Sequence, residues 1–76
     1  MNRARRELLR SARMALTEAE SCVTQALDEE QDCLGNMPEN LESSERYEKM
    51  EAAVEQMEEA LEHINAALES VEAASE

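Results

Sequence analysis

The sequence predicts an all-α protein: an antiparallel two-helix hairpin of coiled-coil character, dimerising into a four-helix bundle. Three observations carry this. Apolar residues at Tyr47, Met50, Val54, Met57, Leu61, Ile64, Leu68 and Val71 alternate in steps of three and four without a break, the a/d seam of a helix packed lengthwise on others. A second heptad line, Leu9, Leu16 and Val23, runs through the N-terminal half. Between the two halves lies Gly35-Asn36-Met37-Pro38, the chain's only Gly and only Pro.

The first helix is expected over about 3–34. Ala12, Ala19, Ala26 and Cys33 fall on the offset complementary to Leu9, Leu16 and Val23, while Leu8, Ala15, Cys22, Leu27 and Leu34 widen the face beyond a narrow dimer seam. Glu30 falls on the seam and should loosen packing near the end. Gly35 suits a left-handed position closing this helix, and Pro38 cannot extend it. Asn36 to Glu39 reads as a capping box for a short turn over Pro38 to Leu41, with Met37 and Leu41 plugging the bundle end. The connection spans about 35–43. Ser43 or Ser44 then caps a second helix over about 44–74, with Glu45 in its first turn favouring the dipole. Near-equal helices joined by a short loop imply antiparallel neighbours. Small residues on both helices (Ala53, Ala60, Ala67 and Ala74 on the second) let the axes approach. The larger side chains then remain for a second hairpin, which makes Leu9, Leu16, Val23, Met50, Val54, Met57, Leu61, Ile64 and Leu68 the expected oligomer seam.

Seventy-six residues without Phe or Trp form one small domain with little core of its own, so oligomerisation, with a dimer favoured, is expected. The net charge of −12 argues against direct contact with nucleic acid or an anionic membrane. No apolar run approaches the roughly 18–20 residues of a membrane span. The Arg-rich N-terminus is not followed by a continuous apolar segment, so it does not read as a secretory signal. Its amphipathic pattern faintly resembles an organellar transit peptide, but the helical register continues through it, and a cytoplasmic protein is expected. Cys22 and Cys33 stand about 16 Å apart along one helix, beyond disulfide reach. They are expected to be small, buried, reduced residues.

The charge is unevenly placed. Folded about the loop, residue i should lie near residue 79 − i. The open end, 1–17 with 60–76, then has five basic and five acidic residues, whereas the loop half, 18–59, has fourteen acidic and two basic, Arg46 and Lys49. Arg3, Arg6, Arg10 and Arg13 form a flank stripe expected to pair with Glu69, Glu72 and Glu76. The unneutralised acids at the loop end, Asp28, Glu29, Asp32, Glu45, Glu48, Glu51, Glu55 and Glu58, form the expected docking surface for a protein partner with a basic surface. Carboxylates along a rigid helix imitate a phosphate row.

Catalytic chemistry is not legible. His63 is the only histidine, at an outward position, and Glu59 to His63 is not the Glu-x-x-His spacing of di-iron bundles. Asp28 to Asp32 lacks the glycine and alternation of an EF-hand, and there is no zinc pattern or Gly-rich phosphate loop. No enzyme, metal or cofactor is expected.

Residues 29 to 60, with Glu-Glu-Gln at 29–31, Asn-Met-Pro-Glu-Asn-Leu at 36–41, Ser-Glu-Arg-Tyr at 44–47 and Met-Glu at 50–51 before a Glu/Ala-rich helix, resemble a group of small acidic helical proteins. These come from bacteriophages and mobile elements of Gram-positive bacteria. Cys33 and Gly35 depart from the more ordinary helix residues expected there. The resemblance covers somewhat under half the chain and supplies no activity or site residues. It implies a phage or mobile-element origin and the host cytoplasm. Small acidic phage proteins often inhibit host machinery, so the implied function is a non-enzymatic inhibitor of a nucleic-acid-binding host or defence protein, anti-CRISPR-like in its nucleic-acid mimicry. Two alternatives stand beside it: an oligomerisation module of phage assembly, and a bundle that sequesters a small nucleotide on its arginines.

Overall fold

The computed structural model describes residues 1–38, 40 and 44–76. Two helices, α1 (Arg3–Gly35) and α2 (Glu45–Ala74), pack side by side as a hairpin 59 Å long and 14 Å across. Each end has an identifiable local cause. Asn2 in extended conformation caps α1, its Oδ1 accepting from the Arg5 N–H at 2.8 Å. Ser44 does the same for α2, its Oγ accepting from the Tyr47 N–H at 3.1 Å, with Glu45 and Glu48 in the first turn. The Ser75 hydroxyl closes α2 by donating to the Val71 carbonyl at 2.8 Å.

The close of α1 departs from expectation. Gly35 is the last helical residue and no glycine has positive φ. Asn36 ends the helix instead: its backbone N–H and its side-chain Nδ2 both donate to the Asp32 carbonyl, at 3.1 and 2.8 Å. Two donors on one orphan carbonyl make a left-handed glycine unnecessary. Asn36 thus serves the helix behind it. Glu39, the other member of the expected capping box, and Leu41 lie outside the described residues; Met37 is half-buried.

The hairpin's own interface on α2 takes the side chains expected to be left for a second copy: Tyr47, Met50, Val54, Met57, Leu61, Ile64, Leu68 and Val71 are all at least half-buried, because the larger apolar residues bury more area against α1 than the alanine line does. On α1 the covered positions are Leu9, Ala12, Leu16, Ala19, Glu20, Val23, Leu27, Glu30 and Leu34. The step from Val23 to Leu27 is four where a strict heptad takes three. Leu16 to Leu27 therefore spans eleven residues in three turns, a straighter path than the heptad. This shift turns Ala26 and Cys33 outward, and both cysteines are exposed free thiols rather than buried residues. Leu27 and Val54, each 9% exposed, are the only buried apolar residues among those described. They lie about equally far from the connection on the two helices.

Candidate functional site

A helix turns 100° per residue, so α1 and α2 each present a seam and two flanks. With the helices antiparallel, one broad side of the hairpin receives Leu8, Ala15, Cys22 and Ala26 of α1 and Ala53, Ala60 and Ala67 of α2. The opposite side receives Arg6, Arg10, Arg13 and Asp28 of α1 and Glu51, Glu58 and Glu72 of α2. Side-chain groupings agree with this hand. Arg6, Arg10 and Arg13 share a cleft with Glu72 and Glu76, and Glu30 shares one with Arg46, Lys49 and Met50.

All eight acids expected to form the docking surface, Asp28, Glu29, Asp32, Glu45, Glu48, Glu51, Glu55 and Glu58, are exposed. They do not stand alike. Glu45 is paired with Lys49 at 3.2 Å, one turn on. Arg46 and Lys49 lie at the cleft with Glu30, away from the glutamate stripe. Among the described residues no ion pair engages Asp28, Glu29, Asp32, Glu48, Glu51, Glu55 or Glu58. Glu48 to Glu58 places four unpaired carboxylates along about 15 Å of helix at 1.5 Å per residue. That is one charge per about 5 Å, against 3.4 Å for one strand of B-DNA. The α1 contribution lies on the outer and polar sides, where Glu20, half-buried, joins Asp28 and Glu29 in lining a groove with Thr17, Thr24 and Gln25. Glu20 was not singled out from the sequence. Its one-residue offset from the Ala19 line was the available signal.

The open end is arranged differently from the simple fold-back. Met1 to Leu8 are all exposed, Leu8 by 70%, because no turn of α2 lies beside them among the described residues. Leu9 shares the cleft with Ser75 and Glu76. Arg3, expected near Glu76, pairs instead with Glu7 of its own helix at 3.5 Å. Of the expected cross-helix pairs, Arg13–Glu72 at 3.2 Å is present. The slip of several residues relative to the 79 − i rule accompanies the four-residue step in the α1 seam.

His63 is exposed and lies 3.5 Å from Glu59, an i,i+4 neighbour. Among the described residues no three metal-ligating side chains converge, and no helix is long and apolar enough to cross a membrane. The oligomer-seam residues Leu9, Leu16, Val23, Met50, Met57, Leu61, Ile64 and Leu68 are half-buried and Val54 is buried, all by the hairpin's own packing. No protein-family model, curated protein or solved structure matches the chain.

Proposed function

We propose that this chain is a non-enzymatic binding protein of phage or mobile-element type, whose acidic loop end docks on a basic surface of a partner protein. The favoured partner is a nucleic-acid-binding host or defence protein, inhibited through occupation of its phosphate-binding channel. One observation supports this above others: Glu48, Glu51, Glu55 and Glu58 stand exposed and, among the described residues, without an ion pair on a capped helix, while both cations of that half are placed elsewhere. Ordinary solubility does not require such segregation, since dispersing the same charge would lower its self-repulsion. The rows of carboxylates would steer a basic partner and set its orientation.

The test is affinity purification from a Gram-positive host lysate at low and at high ionic strength, followed by binding assays with the recovered protein. Expected is a nucleic-acid-binding partner whose affinity falls steeply with salt and which is released by Glu48→Lys, Glu51→Lys, Glu55→Lys and Glu58→Lys combined. Retention of a partner by the reversed variant would refute the docking surface. The Arg13–Glu72 pair supports reading the open-end arginines as neutralised rather than as a nucleotide site.

A further inference from the structure

We infer that the apolar broad side of the hairpin is the seat of a second copy of this chain, packed with the two loops at opposite ends of the rod. The first ground is surface. The chain exposes 5869 Å². A compact monomer of 8.6 kDa would expose about 4,700 Å² by the usual mass scaling, an excess of about 1,200 Å². A standard interface takes about 800 Å² from each partner. The second ground is shape. The apolar arc of α1 runs from Cys22 and Ala15 round to Leu9 and Leu27, roughly 140° at 100° per residue, and α2 leaves its Cys22, Ala15 and Leu8 edge uncovered. Leu8, Ala15 and Cys22 remain exposed, and Ala53, Ala60 and Ala67 beside them are half-covered. Small side chains over the middle of that side give a flat surface on which helices approach closely, bounded at the loop end by Glu30, Arg46 and Lys49.

Charge decides the orientation. A face-to-face dimer has its two-fold axis in the interface plane, either along the helices or across them. Along the helices, the loops lie together and each α1 faces the other copy's α2. Two halves of net charge −12 then stack about 10 Å apart, near one Debye length, where salt does not remove the repulsion. Across the helices, the loops lie apart, α1 faces α1, and each acidic half lies on an open end of zero net charge. The midpoint of α1 falls at Ala19. A register centred between Glu18 and Ala19, at this midpoint, sets Ala15 opposite Cys22 of the second copy. The dimer so formed presents its two acidic ends at opposite tips, which makes it bivalent on the docking function proposed above.

Disulfide trapping tests the arrangement without reference to any partner. In a Cys33→Ser background, Ala15→Cys adds a thiol that the loops-apart dimer places against Cys22 of the second copy. Ala60→Cys adds one that the loops-together dimer places there instead. Sedimentation equilibrium should give a dimer, and mild oxidation should convert most Ala15→Cys chain to covalent dimer. Ala60→Cys should yield no more covalent dimer than Cys33→Ser alone. Circular dichroism before oxidation should show unchanged helicity, as all the substituted positions are exposed or half-covered. A monomeric mass would overturn the inference, as would preferential trapping through Ala60→Cys, or a dimer trapped by neither. Failure of the docking proposal would leave these results untouched.

Discussion

Gly35 occupies the last turn of α1 with ordinary negative φ, and a Cβ built there meets nothing within 4 Å. Its only effect is then to enlarge the entropy of the unfolded chain. Gly35→Ala should stabilise the hairpin by about 0.5–1 kcal/mol. A left-handed glycine would give the opposite sign, so thermal unfolding of this variant checks the helix ending directly. Ser44→Ala should act the other way, losing the bond to the Tyr47 N–H and about 1 kcal/mol. For a domain this size each such change moves Tm by several degrees. The Ser44 cap was legible as one of two adjacent serines. The ending at Asn36 was not, because an Asn that caps backwards and one that caps forwards occupy the same sequence position.

At the scale of the elements, α2 was legible almost to the residue, because its apolar period never breaks and a cap, acidic first turn and seam all agree. α1 was legible in extent but not in rotation. Two apolar lines one residue apart, Ala26/Cys33 and Leu27/Leu34, compete for the partner, and the larger leucines prevail because they bury more apolar area. That choice turned Cys33 outward, which no count of heptads alone could reveal. Leu27→Ala should therefore cost about 2 kcal/mol, the lower end for a core leucine because so little surrounds it. Ala26→Ser on the neighbouring exposed line should be near neutral. Urea midpoints with unchanged slopes would measure both. The charges on α1 also run against its dipole, with Arg3, Arg5 and Arg6 at the N-terminus and Asp28, Glu29, Glu30 and Asp32 near the C-terminus. Those in the terminal turns, Arg3, Arg5, Arg6 and Asp32, each cost about 0.3–1 kcal/mol at low salt. A helix under no other demand would carry the reverse arrangement. The polarity of α1 is therefore consistent with the segregated ends used in both the docking and the dimer arguments.

For the whole molecule, one quantity has two consequences of opposite sign. The charge of −12 opposes the compact state by self-repulsion, and it attracts a basic partner. Exposed pairs such as Arg13–Glu72 and Lys49–Glu45 offset little of the repulsion, about 0–1 kcal/mol each. Raising ionic strength should therefore raise Tm while weakening partner binding, so that loss of binding at high salt cannot be unfolding. Charge reversal sharpens the separation. Changing Glu48, Glu51, Glu55 and Glu58 to Lys shifts the chain by two charges at each of four sites, from −12 to −4. The pairs within the stripe stay like-charged, but its repulsions with Glu45, Glu59 and Glu62 at i,i+3 and i,i+4 become attractions of about 0.2–0.5 kcal/mol each. The quadruple variant should melt higher than the parent at low salt, and the difference should shrink as salt is added. It should nonetheless lose its partner. Stability and binding moving apart in one variant would locate the function in the charge itself; a variant that melts lower would mean the glutamates are held by interactions within the fold, and the acidic stripe would then be structural.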